Sequence, residues 1–196
     1  DGKTGFIVPR KDYMAAADAI QKSMDIDTTW TIDGNGTISL HMHVKKNPDF
    51  MMFPRFGIRM FLRKEMEHVS YYGLGPMESY CDKRRAASYG IYNANVEEMH
   101  EDYIKPQENG SHCGCSYVVI GDGESTITAT SEKEFSFNAS VYTQEELTDK
   151  MHNFELQPSG YTVLCLDYAQ NGIGSDSCGQ DLLPQYRQTI LMRRET

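Results

Sequence analysis

The sequence predicts an all-β fold made of antiparallel sheets with a few short helices. Apolar and polar residues alternate over several short stretches, most regularly at residues 38–45, where every second residue is apolar. A period of two gives a strand with one buried and one solvent-facing side. Turn-forming Gly, Asn and Asp residues separate the stretches, as in the Asp-Gly-Asn-Gly sequence at residues 33–36. Several short strands joined by such turns favour an antiparallel sandwich.

The first predicted strands form a β-hairpin. The turn at residues 33–36 has the chemistry of a hairpin loop and joins a strand at residues 28–32 to one at residues 37–45. After Pro54, alternation at residues 56–62 predicts a third strand. The later predicted strands lie at residues 68–74, 113–120, 125–130, 133–140, 161–168 and 188–193.

Two short helices are predicted among the strands, at residues 77–89 and 144–151. The first follows a proline, which suits an opening helical turn, and it places Glu78 near the positive end of the helix dipole. The second begins with a capping box, in which Thr143 is the cap and Glu146 follows three residues later.

Composition divides the chain into a short first part and a longer β-rich part. Residues 1–29 are predicted to be a lead-in or an incomplete start of the domain, and residues 30–196 to be the domain itself. Residues 13–24 are Ala-rich with apolar residues at helical spacing, so a short amphipathic helix and a flexible segment both remain open. Because the chain begins at Asp1 without a methionine, we expect it to be a piece of a longer protein.

Composition and charge also narrow the class of protein. A hydrophobic content of 39% over 196 residues is sufficient for a packed core, and the mean hydropathy of -0.55 is typical of a soluble chain. No apolar run approaches the length of about 18 residues that is expected of a membrane-spanning helix. A net charge of -9 disfavours a nucleic-acid partner, because phosphate binding requires a basic surface.

Cysteine usage leaves the cellular compartment open. The five cysteines are odd in number and include no Cys-x-x-Cys pair, so buried free thiols are expected rather than a disulfide framework. Free thiols favour a reducing compartment, but proteins outside the cytoplasm also carry them. A cytoplasmic and a periplasmic location therefore both remain open.

The best candidate for a functional site is the Gly-rich polar loop at residues 171–179. It carries Asn171, Asp176, Ser177 and Cys178 without an apolar pattern, and binding residues are frequent on loops of this kind. We expect these four residues to contact a substrate, with the Asn171 amide or the Asp176 carboxylate bonding its hydroxyl groups. An ordinary surface loop is the alternative.

Other groups of reactive residues are interpreted as structural, and no catalytic residue is assigned. His41 and His43 share one strand face, but the spacing offers no third metal ligand. The Cys-Gly-Cys sequence at residues 113–115 lacks a second cysteine pair, so no metal site is predicted there either. The acidic residues form clusters typical of solvated loops and helix faces. These clusters lie at residues 97–102, 132–134 and 145–146.

One motif resembles a known family signature. Residues 71–82 read Tyr-Tyr-Gly-Leu-Gly-Pro-Met-Glu-Ser-Tyr-Cys-Asp. This is similar to the Gly-x-Gly-Pro-x-Glu-x-Tyr-x-Asp signature of the C-terminal domain of large β-galactosidases in glycoside hydrolase family 2. Further motifs of that domain are matched in the same order along the chain. They lie at residues 32–36, 54–57, 106–110, 137–143 and 167–178.

The resemblance implies a galactose mutarotase-like β-supersandwich for residues 30–196, as in the C-terminal domain of a β-galactosidase. It implies that the parent enzyme hydrolyses terminal β-D-galactosides with retention, through two glutamates in an upstream barrel. This segment would brace that barrel and lend the loop at residues 171–179 to the sugar pocket, without being catalytic alone. The resemblance further implies a homo-oligomeric parent with Mg²⁺ or Na⁺ in its barrel, and no cofactor in this segment.

The chain departs from the family at the candidate loop. Near Cys178, lac-type members have a tryptophan that stacks on the sugar, and a thiol cannot stack in that way. Two alternative functions remain open: a free-standing carbohydrate-binding or mutarotase-like domain, and an interaction domain without sugar contact. A mutarotase needs a His/Glu acid–base pair, and no such pairing is recognisable for His41, His43 or His152.

Overall fold

A computed structural model describes residues 23–47, 53–173 and 183–186. The contacts divide the chain into two compact units. The first comprises Asp1–Phe53 with Thr189–Thr196, and the second comprises Pro54–Gln188. Each unit contains its own β-sheet.

The first unit contains a two-stranded antiparallel sheet. Strand β1 (Met24–Ile32) pairs along its whole length with β2 (Ile38–Lys46), and Trp30 lies opposite Leu40. Gly36 lies in the connecting turn with φ 89°, a left-handed backbone angle that glycine adopts without steric penalty. The predicted hairpin is confirmed, although β1 begins earlier than the sequence indicated.

The second unit contains a six-stranded antiparallel sheet with the strand order β3-β8-β7-β6-β4-β5. The strands are β3 (Arg55–Arg63), β4 (His68–Gly75), β5 (Ser88–Asn95), β6 (Ser111–Gly121), β7 (Thr126–Ser140) and β8 (Tyr161–Gln170). Helix α1 (Gln144–Asp149) lies between β7 and β8, and short 3₁₀ turns lie at Val96–Met99, Asn153–Glu155 and Pro184–Tyr186. The pairing of β3 with β8 brings the start of this unit next to the end of its last strand.

The sequence predicted most of these strands. The two strands predicted at residues 125–130 and 133–140 are one long strand, β7, and the strand predicted at residues 188–193 lies outside the described residues. Thr143 caps α1 as predicted, because its hydroxyl oxygen accepts the amide proton of Glu146 at 3.1 Å.

The helix predicted at residues 77–89 is wrong, because the chain is irregular there until β5 begins. The Ser79 amide donates to the carbonyl oxygen of Ser111 at 2.7 Å, and Tyr80 exchanges backbone hydrogen bonds with Lys83. The first bond holds the segment against strand β6, and the two bonds between Tyr80 and Lys83 close a tight turn within the segment. Its backbone groups therefore find partners without forming a helix.

A continuous hydrophobic core forms against the six-stranded sheet. At its centre the Tyr71 ring lies 5.0 Å from the Phe137 ring and 4.6 Å from the His112 ring, measured between centroids. Buried aromatic rings contribute large apolar areas and so dominate such cores. The cluster comprises Met66, Val69, Tyr71, Val96, Met99, Cys115, Val118, Ile120, Phe135, Phe137, Ala139 and Leu164.

The two antiparallel sheets confirm the all-β prediction. The mutarotase-like label and the domain boundary between residues 29 and 30 stay predictions. The Ala-rich stretch at residues 13–24 lies almost entirely outside the described residues. In the part of the chain that the structure describes, no helix is long and apolar enough to cross a membrane.

Candidate functional site

The candidate site lies where β8 ends and β3 begins. The register of these strands places Gln170 opposite Arg55, and the Asn171 amide donates to the carbonyl oxygen of Pro54 at 2.8 Å. Side chains from the loops that precede β5 and β6 reach the same corner. Motifs that are far apart in the sequence therefore meet at the start of the predicted site loop.

Arg55 is the centre of this cluster. Its two terminal nitrogens each donate to one oxygen of Glu108 at 3.2 Å, which is the bidentate geometry of a strong arginine–carboxylate pair. Its Nε lies 2.9 Å from Oδ1 of Asp167. One guanidinium thus forms ion pairs with two carboxylates, and the three groups together carry a net negative charge when all are ionised.

Gln170 and Tyr80 also bind Glu108. The Gln170 amide and the Tyr80 hydroxyl both donate to Oε1 of Glu108, at 3.2 and 3.4 Å. Burial raises the pKa of the Tyr80 hydroxyl, and the charges of Glu108 and Glu78 raise it further. The phenol is therefore protonated at neutral pH and remains a hydrogen-bond donor.

Asp167 is the buried carboxylate of the cluster, with 2% of its surface exposed. Burial raises the pKa of Asp167 to about 6, because it outweighs the opposing effect of Arg55 and is reinforced by the charge of Glu108. Its Oδ2 is also buried, and none of the described residues donates a hydrogen bond to it. The fold therefore holds a carboxyl group that gains a proton more readily than an exposed aspartate does.

The raised pKa of Asp167 predicts a pH dependence of stability. The folded pKa of about 6 exceeds the ordinary value of 3.8, so the folded chain binds a proton more tightly than the unfolded chain. This contribution to the free energy of unfolding is fully present below the unfolded pKa and is lost as the pH rises through the folded pKa. We expect Asp167→Asn to remove a pH-dependent contribution to the free energy of unfolding of at most about 3 kcal/mol. Urea unfolding at pH values from below 3.8 to above 6 measures this contribution.

Asp122→Asn serves as the control for this pH prediction. Hydrogen bonds from the amides of Ser125 and Glu124 lower the pKa of Asp122. Its contribution is therefore present above the unfolded pKa and is lost as the pH falls, so the substitution should remove a dependence of opposite sign. An unchanged pH dependence in Asp167→Asn would show that Asp167 titrates normally in the folded chain.

A second buried carboxylate, Glu78, holds the loop before β6. It accepts the Gly110 amide proton at 2.7 Å, and it also binds the Lys83 ammonium and the Tyr103 hydroxyl. These contacts support the structural role that the sequence predicted for Glu78. The expected partner, a helix dipole, is wrong because the segment is not helical.

A cavity of about 340 Å³ opens beside the Arg55 cluster. This volume is near the lower end of the range for small-molecule sites, about 300–1,000 Å³. The lining combines a guanidinium, a carboxylate and three side-chain amides, and these groups donate to and accept from hydroxyl groups. The cavity is lined by Pro54, Arg55, Gln107, Glu108, Gln170, Asn171, Gly172 and Ile173.

The structure places one of the four predicted site residues at this cavity. Asn171 lines the cavity and is largely buried. Asp176, Ser177 and Cys178 lie outside the described residues. The contact of these four residues with a substrate stays a prediction.

Sequence reasoning missed Arg55, Glu108 and Gln170 as site residues. The family-like motifs at residues 54–57 and 106–110 contain the first two, so the motifs could have indicated them. The pairing itself could not be read from the sequence, because it depends on which strands and loops meet. Gln170 lies within the motif at residues 167–178, but it is not one of the residues that match the family there.

The other candidate groups remain without a ligand-binding arrangement. His41 and His43 are exposed on β2, opposite Thr29 and Asp27. Within residues 23–47, 53–173 and 183–186, no three His, Cys, Asp or Glu side chains are arranged to hold a metal ion. Buried free thiols, as the sequence predicted, are found at Cys115 and Cys165, whereas the free thiols of Cys81 and Cys113 are only half-buried.

Comparison with known proteins decides the family. A family model described as β-galactosidase small chain matches residues 5–194. The chain belongs to this β-galactosidase small-chain family. A β-galactosidase of Actinobacillus pleuropneumoniae is 45% identical over 164 residues, which are 84% of this chain and 16% of that protein. A β-galactosidase of Staphylococcus xylosus is 39% identical over 170 residues, 87% of this chain and 17% of that protein.

The match confirms the resemblance carried by residues 71–82. A β-galactosidase of Kluyveromyces lactis is 34% identical over 164 residues, which are 81% of this chain and 15% of that protein. The chain thus spans about a sixth of the length of these relatives.

Proposed function

We propose that this chain is the C-terminal domain of a β-galactosidase that hydrolyses terminal β-D-galactosides. It braces the catalytic barrel of the parent chain and lends the loop at residues 171–179 to the sugar pocket. The observation that carries the proposal is the meeting of family motifs around Arg55, beside a polar cavity that Asn171 lines. The names of the relatives support the substrate class.

The chemistry of hydrolysis is assigned to the upstream barrel. Retaining hydrolysis needs a nucleophilic carboxylate and an acid/base carboxyl group about 5–5.5 Å apart, both free to reach the sugar. Here Arg55 binds both Glu108 and Asp167, and Lys83 binds Glu78. These carboxylates are engaged in holding the fold. We assign the two catalytic glutamates, and Mg²⁺ or Na⁺, to the barrel of the parent because the resemblance to the family implies it.

Exposed hydrophobic side chains support the bracing role. Ile104 and Phe154 are 90% and 84% exposed. Their loops are joined by a hydrogen bond from the Asn153 amide to the Asp102 carboxylate at 2.7 Å. Exposed apolar patches are typical of interaction surfaces. We expect this surface to contact the rest of the parent protein, which is expected to be a homo-oligomer.

Substitution in the predicted loop tests the sugar contact. In the full-length parent enzyme, Asp176→Ala should raise KM for a nitrophenyl β-D-galactoside about fivefold, because one hydrogen bond to the substrate is lost. Glu132→Ala, which removes an exposed carboxylate from β7, is the control and should leave KM unchanged. If the KM of Asp176→Ala equals that of the control, an interaction domain without sugar contact is favoured.

The isolated chain tests the other alternative. We expect the 196-residue chain to show neither hydrolysis of a nitrophenyl galactoside nor binding of galactose in a calorimetric titration. Galactose binding by the chain alone would favour a free-standing carbohydrate-binding domain. Interconversion of galactose anomers by the chain would favour a mutarotase-like enzyme.

A further inference from the structure

A second cavity, of about 180 Å³, shares Gln170 and Asn171 with the cavity beside Arg55. Two of the residues that line it are cysteines, Cys81 and Cys113, and both thiols are free. Both side chains are half-buried, so a small molecule in the cavity can reach them. The proposed function uses neither thiol.

Hydrogen bonds between two segments of the chain bring these cysteines together. The Ser79 amide donates to the carbonyl oxygen of Ser111 at 2.7 Å, and the Cys113 amide donates to the Ser79 hydroxyl oxygen at 2.9 Å. Cys81 follows Ser79 by two residues. Burial raises the pKa of the Cys81 thiol, and the charges of Asp82 and Cys113 raise it further. An effect of one thiol on the pKa of another requires the two sulfur atoms to be near each other.

Two other thiols, those of Cys115 and Cys165, are placed differently. Cys115 is fully buried, and its Sγ donates to the carbonyl oxygen of His112 at 3.4 Å. Burial raises the pKa of Cys115 to about 12. The Cys165 sulfur is also buried, and it accepts an amide proton of Gln144 at 3.3 Å. Neither cysteine is among the described residues that line the cavity.

The surroundings of Cys81 disfavour its reaction with a reagent that needs only one thiol. The nucleophile is the thiolate, and the raised pKa of Cys81 makes it scarce at neutral pH, because the opposing charge of Arg84 does not offset burial. The thiol also donates to the carbonyl oxygen of Tyr186 at 3.4 Å. A ligand that binds both sulfur atoms forms its second bond within one complex, at a high effective concentration. The pair therefore favours ligands that bind two thiols.

We propose that Cys81 and Cys113 form a dithiol site for trivalent arsenicals. Soft thiolate sulfur prefers soft centres, and trivalent arsenic in an arsenoxide is such a centre with two positions that sulfur can take. Two arsenic–sulfur bonds form, the bonds between arsenic and oxygen break, and the oxygen leaves as water with the two thiol protons. Arsenic remains trivalent, so the step needs no oxidant or reductant.

A ligand satisfied by two sulfur atoms also fits the surroundings of the pair. Among the residues that the structure describes, no three His, Cys, Asp or Glu side chains are arranged to hold a metal ion. The volume of about 180 Å³ lies below the range of about 300–1,000 Å³ for small-molecule sites, so the cavity suits a small reagent. The inference goes beyond the proposed function and does not depend on it.

The test is a titration of the full-length protein with phenylarsine oxide. Thiols that remain free are then alkylated with iodoacetamide and located by peptide mass spectrometry. We expect the arsenical to protect Cys81 and Cys113 together, at the same concentration. Cys81→Ser and Cys113→Ser should each weaken binding at this site about 100-fold or more, because a ligand held through both sulfur atoms gains at least that factor over one bond.

Ser136→Ala and Cys115→Ala are the matched controls for these variants. Ser136 lines the same cavity without a thiol, so its replacement should leave binding unchanged. Cys115 lies two residues from Cys113 but is fully buried, so Cys115→Ala should also leave binding unchanged. Weaker binding in Cys115→Ala with normal binding in Cys81→Ser would make Cys115 the second thiol and would overturn the proposed pair.

Release of the arsenical tests the site without any substitution. An arsenical held by two sulfur atoms should be displaced by the dithiol 2,3-dimercaptopropanol but not by 2-mercaptoethanol at the same thiol concentration, because only the dithiol replaces both bonds at once. Release by the monothiol would show that the two cysteines react separately, and the inference would then be wrong. Protection of only one of the two cysteines would have the same meaning.

Discussion

Replacing Arg55 with methionine is expected to lower the free energy of unfolding of the 196-residue chain by about 3 kcal/mol. The variant leaves Asp167, which is 2% exposed, without its cation, and Glu108 loses both hydrogen bonds from the guanidinium. The remaining buried carboxylate must then either stay charged in a poorly solvated position or take up a proton, and both are unfavourable at neutral pH. Urea unfolding followed by circular dichroism measures the change.

Arg59→Met is the matched control for this substitution. Arg59 lies on the same strand and binds Glu145 at 2.9 Å, but the two side chains are 36% and 66% exposed. An ion pair in water contributes at most about 1 kcal/mol, so the control should lose less than that. Equal losses in the two variants would mean that the buried Arg55 cluster stabilises the chain no more than a surface ion pair.

Gly57→Ala is expected to destabilise the chain by about 3 kcal/mol or more. The new Cβ would lie 2.2 Å from the carbonyl oxygen of Leu166 and 2.6 Å from Oδ1 of Asp167. The first of these neighbours is the backbone of the paired strand, so β3 and β8 must move apart where their register already shifts, between Phe56 and Gly57. Thermal unfolding of the Gly57→Ala chain and of the wild-type chain measures the difference in stability.

Gly34→Ala is the control for Gly57→Ala. A Cβ on Gly34, in the hairpin turn, meets nothing within 4 Å. We therefore expect a change of no more than about 0.5 kcal/mol. A Gly57→Ala chain that melts at the wild-type temperature would show that the strands pair less closely at this position than the distances indicate.

Arg55→Met and Gly57→Ala act on the same group of contacting residues. The Pro-Arg-Phe-Gly motif at residues 54–57 supplies the cation that pairs with Asp167, and its glycine leaves the space in which that carboxylate lies. Glu108, in the motif at residues 106–110, completes the ion pairs of Arg55. The spacing within each motif therefore has a physical cause that becomes visible only when the motifs are brought together.

Much of the fold could be predicted from the sequence because its signals are local. The alternation at residues 38–45 and the turn at residues 33–36 specify a hairpin without reference to the rest of the chain. The same holds for Thr143, whose hydroxyl caps a helix three residues away. Period-two patterns and capping side chains depend on neighbours within a few residues.

The segment after Pro76 could not be predicted because its partners are distant in sequence. A proline followed by Glu78 is typical of a helix start. The carboxylate instead binds Gly110, Lys83 and Tyr103. Strand β5 (Ser88–Asn95) was missed for a different reason. It lies at the edge of the sheet, and its sequence includes several polar residues.

The candidate site was predictable in part. Family-like motifs pointed to the loop that begins at Asn171, and the cavity is found beside that residue. The pairing of Arg55 with Glu108 and Asp167 depends on the alignment of β3 with β8 and on the path of the loop before β6. No periodicity in a single sequence encodes such an alignment between distant segments.

The most direct test of the proposed β-galactosidase parent is an immunoprecipitation from source cells with an antibody against this chain. The precipitate is then assayed for β-galactosidase activity. We expect the precipitate to hydrolyse a nitrophenyl β-D-galactoside. The polypeptide should have about 1,000 residues, since the 164 residues aligned with the Actinobacillus pleuropneumoniae relative are 16% of that protein. A precipitate that contains only a 22.3 kDa polypeptide and shows no hydrolysis would contradict the proposed function.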